Sequence, residues 1–107
     1  MSDEILRKVR QAADKRILFL PHTIQQMSRP DRMITTQEIE TVIKRGELIE
    51  NYPEDIRGQS CLILGYGDKE RNIHVVCSPK EDYLVIITAY LPDPNQWSSD
   101  FKRRLRK

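Results

Sequence analysis

Residues 71–97, RNIHVVCSPKEDYLVIITAYLPDPNQW, decide how this chain folds. Two runs rich in β-branched side chains, Asn72 to Cys77 and Leu84 to Tyr90, flank the polar segment SPKEDY, a pattern that predicts an antiparallel hairpin. Upstream, Glu47 to Tyr52 and Ser60 to Tyr66 read as two further strands, the second joined to the hairpin by the short polar turn GDKE. Downstream, Asp93 caps and Pro94 starts a predicted last helix, in which Trp97, Phe101 and Leu105 recur every four residues.

The N-terminal half is helical by its periodicity. Ile5, Leu6, Val9 and Ala13 predict an amphipathic helix over 3–14. ILFL (17–20) precedes Pro21 and is either a strand or a buried extended lead-in. A short helical turn follows His22 up to Met27, and SRPDR (28–32) breaks it. Thr35 and Glu38 stand at capping-box spacing, Ile39, Val42 and Ile43 supply the buried stripe, and Gly46 ends that helix. The expected fold is α+β in two layers: a four-stranded antiparallel sheet packed on one face by the N-terminal helices and a C-terminal helix. A chain of 107 residues is one domain, 1–107.

Strand parity carries the reading toward chemistry. Side chains alternate between the faces of a strand, so Ile73, Val75 and Cys77 share one face and His74 and Val76 the other. Setting Ser78 opposite Leu84 places His74 directly across from Thr88, with Tyr90 a diagonal neighbour. The expectation is a polar cluster of His74, Thr88 and Tyr90 on the less covered face, with Cys61 and Cys77 facing the helices.

Composition excludes several classes. At 38% hydrophobic and 32% charged residues the chain reads as soluble and globular, and no apolar run reaches the ~20 residues of a membrane span. The start, MSDEILRKVRQ, has no apolar h-region, so a cytoplasmic location is expected, with two reduced buried thiols. Net charge is +2 but unevenly spread: residues 102–107 hold five bases and no acid, whereas 17–101 hold eight bases and thirteen acids. An acidic body with a basic end is not a general nucleic-acid glove.

Only His22 and His74 are histidines, which bounds the acid–base options. A zinc site needs about four convergent ligands, and His74 and Cys77 face opposite sides of a strand, so neither a metal nor a cofactor is expected. Two imidazoles can instead act as base and acid while a ribose 2′-hydroxyl attacks a phosphodiester. Arg29 or Arg32 would then hold the phosphate with a bidentate fork. On spacing alone the favoured reading is a structural role for each histidine, satisfied by a local hydrogen bond.

The run from His22 and Met27 through RMIT (32–35) to GELIENYPED, then SCLILGYG, NIHVVCSPKEDY and IITAYLPDPNQW, resembles the domain-of-unknown-function family numbered forty-two fifty-eight, over roughly 17–103. That family resembles the RelE, barnase and colicin nuclease group, and its members often resemble bacterial toxin components, sometimes encoded beside a small antitoxin. The resemblance implies a RelE/barnase-like fold with His22, His74, Thr88 and Tyr90 at the shared polar positions. Many members carry an Arg immediately before the Met of the first motif, where this chain has Gln26, so Arg29 or Arg32 would have to serve instead. Two functions follow as expectations. One is a metal-independent ribonuclease of toxin type, with RNA as substrate and a small antitoxin as partner. The other is a non-catalytic protein-interaction module of the same fold, presenting Glu47, Glu50, Glu54 and Asp55 together with the basic C-terminal end.

Overall fold

Local chemistry places the helices of the N-terminal half where the spacing predicts them. A computed structural model describes residues 4–105 of the chain; the expected helix start at residue 3 and the last two basic residues lie outside them. The elements are α1 (Glu4–Lys15), β1 (Ile17–Phe19), α2 (Pro21–Met27), α3 (Thr36–Arg45), β2 (Glu47–Tyr52), β3 (Ser60–Tyr66), β4 (Asn72–Pro79) and β5 (Leu84–Tyr90), with a 3₁₀ turn at Asp68–Glu70. At the start of α3 the Thr35 hydroxyl accepts the Glu38 N–H, and the Glu38 carboxylate accepts the Thr35 N–H. That reciprocal cap satisfies two otherwise orphaned donors.

The sheet differs from the expectation in count and direction. It has five strands in the order β1-β5-β4-β3-β2, and β1 runs parallel to β5, with Ile17 opposite Leu84 and Phe19 opposite Ile86. The all-antiparallel, four-stranded sheet is therefore corrected to a mixed five-stranded one. Three residues are enough for β1 because Leu84 donates its N–H to the Arg16 carbonyl at 2.8 Å and opens the ladder.

Helices α1 and α3 cover one face. Ile5, Val9 and Ala12 of α1 and Ile39, Val42 and Ile43 of α3 bury against Cys61, Ile63, Ile73, Val75, Cys77, Leu84, Ile86 and Ala89 of the sheet. Each large aliphatic side chain sealed there contributes about 1.5–3 kcal/mol. The helix comes so close that a Cβ on Gly65 would stand 3.0 Å from Val42, and one on Gly46 2.5 Å from the Val42 carbonyl oxygen. Both cysteines are free, buried and on this face, with their sulfurs 4.0 Å apart.

A second correction concerns the C-terminus. No helix forms among residues 91–105; the segment turns, pairs Trp97 with Arg104 in an isolated bridge, and passes Phe101 through a φ of +62°. It lies against the sheet face opposite α1 and α3. Leu62, Leu64, His74 and Trp97, all buried, stand outside the helix-side core and form a smaller one under this segment. The two layers thus become three, the third a strap of irregular chain.

Candidate functional site

A bulge in the β4–β5 ladder aims the residues of interest. Ser78 faces Val85 and Cys77 faces Ile86, but beyond the shift Val76 faces Thr88, Val75 faces Ala89 and His74 faces Tyr90. The extra residue, Ile87, lets Leu84 and Ile86 point at the helices while Thr88 and Tyr90 point away from them. His74, Thr88 and Tyr90 therefore share the outer face as parity predicts, but His74 stands opposite Tyr90 rather than Thr88.

His74 is 0% exposed, and both of its ring nitrogens are engaged. Nε2 lies 2.9 Å from the Phe101 carbonyl oxygen, which can only accept, so the proton sits on Nε2. Nδ1 is then the acceptor for the Tyr90 hydroxyl at 3.3 Å. Trp97 packs edge-on against the imidazole with ring centres 4.5 Å apart. Burial pushes the His74 pKa down, against the Phe101 carbonyl and the Glu50 carboxylate, which favour the charged form. The neutral imidazole is the form this pocket holds.

Above Trp97 lies a charged layer. The Arg104 guanidinium sits 4.7 Å from the Trp97 ring centre and grips Glu50 of β2 through Nε and Nη2, at 2.9 and 3.1 Å. Burial raises the Glu50 carboxyl, but the hydrogen bonds from Arg104 and Tyr52 outweigh it, and the net shift is down. Tyr52 donates to the same carboxylate and is pushed up to about 12, by burial first and then by that partner. Lys102 adds an ion pair to Glu47 at 3.1 Å. Glu47 and Glu50 of the acidic β2 are thus each paired with one base of the C-terminal stretch.

The remaining predicted residues line the outer side of β5. Thr23 and Met27 bury one side of α2, and the Thr23 hydroxyl bridges the Ile86 and Ile87 carbonyls at 3.0 and 2.9 Å. Those contacts close the part of the β5 edge that β1 is too short to reach. His22 and Gln26, four residues apart, share another side of α2. The Thr88 hydroxyl donates to the Gln26 side-chain carbonyl at 2.8 Å. Further along, Arg32 donates to the Ala89 carbonyl at 3.2 Å and lines a cleft of about 260 Å³ with Tyr90, Gln96, Trp97 and Arg104. His22 is exposed and lines a separate depression of about 260 Å³, with Leu20, Arg57, Lys80, Val85 and Ile87.

His22, Thr88, Tyr90 and Arg32 accordingly follow one strip along β5. His74 lies beneath Tyr90 rather than beside His22, so the two imidazoles do not meet over one substrate atom. Arg29 is apart from the strip, exposed and paired with Asp31 at 3.4 Å. Sequence reasoning missed Gln26 as a partner of Thr88 and missed Trp97 as the cover of His74. Spacing held a signal for the first, since Gln26 stands one helical turn beyond His22. Among the described residues, no three His, Cys, Asp or Glu side chains converge as metal ligands. No helix among them is long and apolar enough to cross a membrane.

Comparison with known families gives one match, to the family described as Domain of unknown function (DUF4258), over residues 19–91. The chain belongs to this family. The matched region begins in β1 and ends just after β5, so it contains the whole β5 strip and stops before the strap. No curated protein and no solved structure matches the chain.

Proposed function

We propose that this member of the family is a metal-independent endoribonuclease of bacterial toxin type, with single-stranded RNA lying along β5. The observation that carries the reading is the shared strip: an exposed imidazole (His22), a hydroxyl (Thr88), a phenol (Tyr90) and a guanidinium (Arg32) face one side of a single strand and its flanking helix. In this reading His22 takes the proton of the attacking 2′-hydroxyl, the 2′-oxygen bonds to phosphorus as the bond to the 5′-oxygen breaks, and the departing 5′-oxygen takes a proton from water. Arg32, in the neighbouring cleft, holds an adjacent phosphate of the strand with the N–H groups not used on Ala89. His74 is a positioning residue here. By accepting the Tyr90 proton it turns the phenolic oxygen's lone pairs toward the cleft. The resemblance of the sequence motifs to a family similar to the RelE and barnase group points to the same chemistry, by analogy alone. A small antitoxin would be the natural partner.

Purified protein should cleave single-stranded RNA in excess EDTA and leave DNA intact, because DNA lacks the 2′-hydroxyl. His22→Ala should lower the rate by about a hundredfold. Wild-type protein that is inert on varied RNAs and harmless when overproduced in bacteria would rule the reading out.

The second reading, a non-catalytic interaction module, is favoured by one observation: beside the exposed His22, α2 carries the uncharged Gln26, whose side-chain carbonyl is already engaged by the Thr88 hydroxyl. Of the acids and bases that this reading would present, Glu47 and Glu50 are paired with Lys102 and Arg104 within the chain. A partner would instead meet the groove of about 580 Å³ between α1, β1 and α3, floored by Ala13, Ile17, Phe19 and Ile43.

A further inference from the structure

The matched family region ends at Leu91, yet the chain continues across the open face of the sheet and seals it. This continuation meets the sheet through ion pairs and a hydrogen bond, and it covers the small buried patch of Leu62, Leu64 and His74. Lys102 holds Glu47, Arg104 holds Glu50, the Phe101 carbonyl accepts from His74, and Trp97 lies on His74 at 4% exposure. The segment is held to itself by local turns: Ser98 to Asp100, Arg103 to Ser98, and Leu105 to Gln96. These contacts fold the segment back on itself.

We infer that residues 92–105 form a releasable strap that closes over the His74–Tyr90 end of the β5 strip and controls access to it. The inference concerns the same surface as the proposed ribonuclease site and deepens that reading. Both ion pairs join an acid of β2 to a base of the strap, and their side chains are partly exposed: 43% and 59% for Lys102 and Glu47, 60% and 25% for Arg104 and Glu50. Salt and competing polyanions therefore reach them, and a phosphate backbone competes for both cations. Once Arg104 leaves Glu50 it leaves the Trp97 ring as well, so the charged contact and the aromatic cover fail together.

Charge reversal in the full-length protein tests this without relying on activity. Diethylpyrocarbonate acylates accessible imidazoles, and peptide mapping separates the two histidines. In wild type His22 should react readily and His74 should be protected. Glu50→Arg and Arg104→Glu should each speed His74 acylation by about fivefold or more, as should raising salt from 0.05 to 0.5 M in wild type, the scale of a lost exposed pair plus like-charge repulsion. The double variant Glu50→Arg/Arg104→Glu should return toward the wild-type rate. Trp97, the chain's single tryptophan, should red-shift in the single variants and recover in the double one. Urea unfolding of each variant separates strap release from loss of fold. Acylation of His74 that tracks global unfolding in every variant, or is indifferent to charge reversal, would overturn the strap and make 92–105 an inseparable part of the core. Release of the strap with no RNA cleavage would keep the strap and remove the ribonuclease reading.

Discussion

Glu38→Gln should destabilise the protein by about 3 kcal/mol, a large effect for an isosteric change. The carboxylate is 3% exposed and each oxygen is committed. Oε1 accepts the Thr35 N–H at 3.0 Å and Arg71 Nη2 at 3.0 Å, while Oε2 accepts the Asp68 N–H at 2.7 Å and Arg71 Nη2 at 3.1 Å. A glutamine has one acceptor oxygen, so its NH₂ group must face N–H donors whichever way it turns. At least two charge-assisted hydrogen bonds are lost, each worth about 1.5–3 kcal/mol. Water can reach Arg71, whose side chain is 31% exposed, so the lower half of that range applies. The expected fall in Tm is roughly 12 °C for a domain of this size.

Thermal and urea denaturation followed by circular dichroism measure the change. A double-mutant cycle with Arg71→Met should return a coupling of about 2 kcal/mol, since the partners share one buried contact. Arg71 also donates to the Arg32 and Met33 carbonyls, so the pair fixes the loop that carries Arg32 to the cleft, and RNA cleavage should weaken alongside stability. Acidity gives a second readout. Burial raises the Glu38 carboxyl, but the Thr35 and Asp68 N–H groups and Arg71 together outweigh it, and the folded-state pKa lies below the ordinary 4.5. A depressed carboxylate adds stability that is fully present above its unfolded pKa and fades as pH falls through the folded one. Wild type should therefore lose stability below about pH 4.5, and Glu38→Gln should lose less over that range. A Glu38→Gln cost below about 1 kcal/mol, or an acid slope equal to wild type, would refute this account of the clip.

Three further outcomes can be checked on the same preparations. Thr23→Val keeps shape but strips the donor from the Ile86 and Ile87 carbonyls, and should cost about 1–2 kcal/mol in urea unfolding without changing the helical content of α1 and α3. Gly46→Ala places a methyl against two backbone oxygens and should cost about 3 kcal/mol by the same assay; a near-neutral result would mean α3 is free to shift off the sheet. Tyr52, pushed up to about 12 by burial and Glu50, should ionise late in an ultraviolet titration. Its raised pKa adds stability that is present below pH 10 and lost as pH rises toward 12, a loss that Tyr52→Phe should abolish.

Much of the sheet was legible because its cues are local. The alternation in Asn72–Pro79 and Leu84–Tyr90 and the polar turns between strands gave the antiparallel hairpins, and the Thr35–Glu38 spacing gave the most sharply capped helix. The partner of His74 was not legible. It depends on a bulge at Ile87, and nothing in a run as uniformly apolar as LVII marks which residue will be left unpaired. The parallel pairing of β1 was hidden for a related reason: three apolar residues before a proline suit a strand or a lead-in equally, and the choice is made by the free edge of β5.

The C-terminal segment shows most clearly where sequence periodicity fails. Trp97, Phe101 and Leu105 stand four apart, and Asp93-Pro94 is a sound helix start, so helix is the local reading. Ser98, Ser99 and Asp100 offer the backbone another solution. The Ser98 hydroxyl donates to Asp100 and accepts the Arg103 N–H, Asp100 accepts the Lys102 N–H, and the chain reverses at Phe101. Such side-chain contacts compete with helical hydrogen bonds. The reversal brings Arg104 back beside Trp97, so that one ring covers His74 and one guanidinium covers the ring. A helix would hold Trp97 and Arg104 seven residues apart along one side of a rod, and could not stack both over the same imidazole while offering it the Phe101 carbonyl. What decides this segment is the buried His74 nitrogen, which requires an acceptor that a helix interior has already committed to its own ladder.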